Sequence, residues 1–120
     1  MTKRFQSTCY YVKDEKSEAW GYFTVTPEIG LLQIHCVYLT FSESFSYRWN
    51  APGSDFKQFL IRMGPDYLAD CLEGICMGYA GRRTETAYRE LKRRINKLLS
   101  RLWPLFIEQL KAEMAEAGVA

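Results

Sequence analysis

Up to Asn50 the chain alternates apolar and polar positions in short runs, and from Ser54 onward the apolar positions recur at helical spacing. Lys3 to Val12 is rich in aromatic and β-branched residues, which predicts a strand, and the polar Lys13–Ser17 stretch supplies a turn. A second strand is predicted over Ala19–Thr26, followed by a tight turn at Pro27-Glu28-Ile29-Gly30. The third, "LLQIHCVYLT" (Leu31–Thr40), puts Leu32, Ile34, Cys36 and Tyr38 on one face and Leu31, Gln33, His35, Val37 and Leu39 on the other. Both faces are largely apolar, so this strand belongs in the middle of the sheet. In the fourth, "SFSYRWN", Phe45, Tyr47 and Trp49 alternate with Ser44, Ser46, Arg48 and Asn50. Short polar connections favour an antiparallel meander.

At Ala51-Pro52-Gly53 the period changes. Ser54 is the expected N-cap of a short helix, with Asp55 in its first turn and Phe56, Phe59 and Leu60 on its apolar face. Gly64 ends that helix, and Pro65 with Asp66 opens a second, "PDYLADCLEGICMGYAG", which leads to a glycine joint at Gly78 and Gly81. Thr84 caps a long last helix. Its Tyr88, Leu91, Ile95, Leu98 and Leu102 step by three and four along one side, with Leu99 beside them. Pro104 must bend this helix or begin a new one, and Leu105, Phe106, Leu110 and Met114 continue the apolar face beyond it. The expected fold is a single α+β domain over 1–120. An antiparallel sheet of about four strands (1–50) is packed by two short helices and one long, kinked C-terminal helix (54–118).

Charge sharpens this picture. The 120 residues carry a net charge of only +2, with 48% apolar and 25% charged residues, the balance of an ordinary globular protein. Between Arg82 and Arg101, however, eight basic residues face only Glu85 and Glu90, a net of +6, which leaves −4 for the remainder. Arg89, Arg93, Lys97 and Arg101 step by four opposite the apolar stripe, with Lys92 and Arg94 at its edges and Arg82 and Arg83 at its start. Arg82, Arg83, Arg89, Lys92, Arg93, Lys97 and Arg101 are the candidate partner-binding residues. A guanidinium fork grips phosphate or carboxylate through two parallel hydrogen bonds, so the expected partner is an anionic surface, nucleic acid or an acidic protein groove, with a merely solvated outer helix face as the alternative.

Candidate chemistry is sparse. No catalytic or nucleotide-binding motif is present, and the single histidine, His35, lies in an apolar strand where a hydrogen-bonded structural imidazole is expected. Asp66 and Asp70 share a helical face without anything to set one as acid and the other as base. The chain is therefore expected not to be an enzyme. Cys9, Cys36, Cys71 and Cys76 follow no zinc spacing and are expected to be free thiols, with no metal and no cofactor. Phe45, Tyr47, Arg48 and Trp49 could stack single-stranded bases, but serines interleave them, and core packing is expected. Tyr10 and Tyr11 point to opposite faces, so one is exposed and suits a protein contact. The N-terminal segment has no apolar stretch followed by a cleavage site, and no apolar run is long enough to span a bilayer. A cytoplasmic protein, with no membrane partner, is expected.

The stretch "WGYFTVTPEIGLLQIHCVYLTFSESFSYRWNAPGSDFKQFL", followed by "DYLADCL", resembles small accessory proteins encoded by phages and prophages. The matching features are the aromatic–x–Trp unit Tyr47–Trp49, Gly53, the helix start Asp55–Leu60, and Asp66–Leu68. The resemblance spans Trp20 to Leu72 and lies in core and capping residues. It implies a phage-encoded protein working inside the host bacterial cell. Small phage proteins without catalytic motifs are often inhibitors of host defence, anti-CRISPR proteins among them. The resulting expectation is a non-enzymatic inhibitor that meets a bacterial immune protein or ribonucleoprotein through the basic helix. Two other readings stand beside it. One is a DNA- or RNA-binding accessory protein using the same ridge; the other is a homodimer joined by a Leu, Trp103 and Phe106 stripe wider than the domain can cover.

Overall fold

The structure is a computed structural model and describes residues 2–39, 41–50, 55–65, 67–68, 71 and 85–116. Four strands, β1 (Thr8–Lys13), β2 (Trp20–Thr26), β3 (Leu31–Tyr38) and β4 (Phe41–Arg48), form one antiparallel meander in the order β1-β2-β3-β4. The expected first strand was too long at its start: pairing begins at Thr8, not Lys3. The turns follow local chemistry. Ser17 Oγ donates to Asp14 Oδ2 (2.5 Å) in the β1–β2 connection. Pro27–Ile29 forms a single 3-10 turn, closed by Gly30 at φ 62° with its N–H on the Pro27 carbonyl (3.2 Å). Leu39 also takes a left-handed backbone, φ 55°, a conformation that costs a non-glycine residue about 1–3 kcal/mol.

Alternation then sorts the sheet into two faces. Tyr10, Val12, Phe23, Val25, Leu32, Ile34, Cys36 and Phe45 are buried, all on the side covered by helices. The opposite face, crossed by the row Tyr11–Tyr22–His35–Ser44, is open. β3 is an inner strand as expected, yet only one of its faces is buried.

Two helices have defined bounds among the described residues, α1 (Phe56–Arg62) and α2 (Glu85–Glu116). The N-cap of α1 is Asp55, not Ser54: its carboxylate accepts the Gln58 N–H at 3.2 Å. Pro65, Tyr67, Leu68 and Cys71 have helical backbone; the rest of the expected second short helix, with Asp66, Asp70, Cys76, Gly78 and Gly81, lies outside the described residues. α2 is one helix of 32 residues that runs through Pro104, so the alternative of a new helix opening there does not hold. The proline ring deprives the Ser100 carbonyl of its partner; both residues face solvent, where water can replace the lost bond.

The stripe Leu98, Leu99, Leu102, Trp103, Phe106 and Leu110 is buried, and it places α2 on the sheet. Phe106 stacks on Phe23 with ring centroids 4.6 Å apart, and Trp103 Nε1 donates to the Met63 carbonyl (3.1 Å) beyond the end of α1. Gly21 permits the close approach. A Cβ there would sit 3.0 Å from the His35 carbonyl oxygen and 3.4 Å from Leu102 Cδ1. At the far end, Glu113 ties α2 to both layers: Lys57 Nζ lies 2.7 Å from Glu113 Oε1, and the Tyr10 hydroxyl donates to Oε2. Hydrogen bonds from Lys57 and Tyr10 hold the Glu113 carboxyl below the usual glutamate value. Burial works most strongly against the Lys57 ammonium, but the Glu113 hydrogen bond together with the charges and hydrogen bonding of Tyr10 and Glu113 outweighs it and its pKa is raised.

Two outcomes test this packing. Phe106→Ala removes the ring stacked on Phe23 and should cost about 3–5 kcal/mol in denaturant unfolding. The depressed Glu113 pKa means a stabilisation that is complete above the ordinary glutamate value of 4.5 and is lost as pH falls through the folded value. Glu113→Gln should therefore flatten the acid limb of a melting-temperature profile below about pH 4.5.

Candidate functional site

The face of α2 away from the sheet carries the cations. Arg89, Arg93, Arg94 and Lys97 are exposed, and Lys92 is half-buried. Arg101 is half-buried because its guanidinium lies over the Tyr38 ring, 5.4 Å from the centroid. Arg82 and Arg83, the expected start of the ridge, lie outside the described residues. The helical angle thus brings Arg89, Arg93, Lys97 and Arg101 together as the spacing predicted.

The strip is not continuous positive charge, however. Glu90 sits within it and accepts from Arg93 Nε (3.2 Å), Arg93 Nη2 (2.8 Å) and Arg94 Nε (3.1 Å). Those hydrogen bonds, Arg93 first, lower the Glu90 pKa, and Glu90 in turn raises that of Arg93. Two of the ridge's cations thus share Glu90, one of the two acids counted within the segment. The pairs are solvent-exposed, so each contributes little to folding and can be exchanged for an external acid at low cost.

The turn between β3 and β4 meets this face. Tyr38 and Leu39 stand across from Glu90, Arg93, Arg94, Lys97, Leu98 and Arg101, enclosing a groove of about 310 Å³. Its lining joins apolar Tyr38, Leu39 and Leu98 to four cations and one carboxylate, all five charges on α2. Such a groove suits an acidic segment carrying an apolar side chain. Spacing along one helix could not reveal Tyr38 or Leu39, which arrive through the sheet.

The other candidates fall to structural roles. Phe45 and Trp49 are buried, and Tyr47 packs on Trp49 with ring centroids 4.6 Å apart, so the aromatic strand is core and not a stacking platform. His35 Nδ1 is 2.7 Å from Ser44 Oγ, the expected satisfied imidazole, although on the open face. Cys9, Cys36 and Cys71 are free thiols; burial, then Glu43, pushes Cys36 up to about 12, where it is no nucleophile. Among the described residues no group of three His, Cys, Asp or Glu can hold a metal, and no helix is long and apolar enough to cross a membrane. Of the two candidate tyrosines, Tyr11 is the exposed one and Tyr10 the buried one. The stripe offered for dimerisation is covered within the chain: Trp103 is 2% exposed and Phe106 0%.

The profile of a phage protein family matches residues 2–115, sheet and both helices alike, and the chain belongs to this phage family. No curated protein and no solved structure matches it.

The Glu90 pairs yield a direct outcome. Glu90→Gln releases Arg93 and Arg94, so the variant should elute from a polyanionic column such as heparin at higher salt than the wild type. Equal elution would mean that these guanidinium groups do not face the medium.

Proposed function

We propose that this phage protein is a non-enzymatic inhibitor that binds a bacterial immune effector of the CRISPR kind through the groove between α2 and the β3–β4 turn. Arg93, Lys97 and Arg101 take the carboxylates of an acidic segment of that effector, while Tyr38, Leu39 and Leu98 receive its apolar side chain. Arg89, Lys92 and Arg94 extend the contact along the helix. The observation that carries the reading is the groove itself, where four cations of α2 stand beside Tyr38, Leu39 and Leu98, on a protein of phage origin.

A nucleic acid accessory role would use the same cations. The apolar lining favours protein, because a phosphodiester backbone has no apolar group to fill it. Leu39 supports the same choice. It is 80% exposed and held in a strained backbone beside the cations, where it suits an apolar anchor better than a phosphate.

The test is phage plating on a bacterium with active CRISPR immunity. Expression of the wild-type protein should restore plating of a targeted phage. The Lys97→Glu/Arg101→Glu double variant should lose the effect, its affinity for the effector falling by about 2 kcal/mol or more, some thirtyfold. Full activity of that variant, or no effect of the wild type across hosts with different CRISPR types, would overturn the proposal.

A further inference from the structure

We infer that the open face of the sheet is a second binding surface, on which Tyr11, Tyr22 and Trp20 stack the bases of a single-stranded nucleic acid. Among the described residues the helices cover one face only. On the other, Tyr11 is 50% exposed and Tyr22 44%, side by side across β1 and β2 with ring centroids 5.6 Å apart. Trp20 packs against both, at 6.1 Å from Tyr11 and edge-on at 5.5 Å from Tyr22. Each ring braces its neighbours, so little conformational entropy is lost when a base settles on them. Exposed rings in mutual contact on one face form a contiguous apolar patch, the kind of surface that partners use.

Charge and hydrogen bonding select the occupant. The four strands contain one carboxylate, Glu43, and the alternation puts it on the helix-covered side. The open side carries Lys13 in the row of Trp20 and Arg48 at the opposite corner, cations placed for phosphates. Beside the rings, Gln33, Ser46 and the His35–Ser44 pair (2.7 Å) offer donors and acceptors to base edges. Aliphatic side chains, which fill the centre of protein interfaces, reach this face only at its ends, through Leu31 and Val37. Rings, amides, hydroxyls and cations without a carboxylate fit unpaired bases on a phosphate chain. This inference uses a different face from the groove and does not depend on it.

The experiment titrates the purified protein with single-stranded oligothymidylate and oligouridylate of about 15 nucleotides, following tryptophan fluorescence and oligonucleotide anisotropy. Binding with quenching is expected, and comparison of the two arms tells DNA from RNA. Tyr11→Thr and Tyr22→Thr keep strand propensity and remove a ring, and each should weaken binding about tenfold. Tyr22→Phe should bind within about twofold of the wild type. With two phosphates contacted, log affinity should fall with log salt at a slope of only about −1.4. In the wild type, bound oligonucleotide should also protect Tyr11 and Tyr22 from nitration, a readout that needs no variant. Absence of binding by either oligonucleotide overturns the inference, as does binding that leaves both tyrosines open to nitration. A steep salt slope with affinity abolished by Lys97→Glu/Arg101→Glu would put the nucleic acid on the groove and overturn both this inference and the protein reading of the groove. A protein captured through Tyr11 and Tyr22, without oligonucleotide binding, would overturn this inference alone.

Discussion

Everything in this molecule follows from one contact, the apolar stripe of α2 laid across one face of a four-stranded sheet. Leu98, Leu102, Phe106 and Leu110 lie on the helix's inner side, and once they are buried the rotation of the helix is settled. Every residue about half a turn away must then face outward, Arg89, Arg93 and Lys97 among them. Gly21 leaves room where Leu102 meets the sheet, and Glu113, held by Lys57 and Tyr10, fixes the helix's far end. Among the described residues that stripe covers a single face of the sheet, and the other side carries the exposed Tyr11 and Tyr22.

The outer surface is tuned rather than merely charged. Glu90 occupies Arg93 and Arg94 while no partner is present, which limits self-repulsion along a helix dense in cations. The strained turn at Leu39 brings an apolar side chain to those cations from a different layer of the fold. Neither layer makes the groove alone. Its shape depends on the helix–sheet contact, which joins binding to folding stability.

Much of this architecture is written locally. Period-two alternation located β4 to within a few residues, and Pro27 with Gly30 marked a real turn, because both effects act over two or three residues. The helical step of α2 carried its two faces through Pro104, although whether that proline breaks the helix was not legible: the answer lies in solvent exposure at Ser100 and Pro104. The choice of Asp55 over Ser54 turned on which oxygen reaches the Gln58 N–H, a matter of geometry between two good caps. What sequence reading missed is long-range. Leu39 joins the ridge only through tertiary packing. β3 is apolar enough on both sides to look doubly covered, and this hid the open face where Tyr11, Trp20 and Tyr22 meet. Trp103 and Phe106 looked surplus because nothing in the helix reports the area of sheet available to them.

Native-state hydrogen exchange resolved by residue tests the helix–sheet clamp most directly. Amides of α2 on both sides of Pro104, from Leu98 to Leu110, should exchange as one slow block together with β2 and β3, opening only in global unfolding. Fast exchange beyond Pro104 while β2 and β3 stay protected would mean that the helix does not grip the sheet along its length, and the outward placement of its cations would lose its foundation.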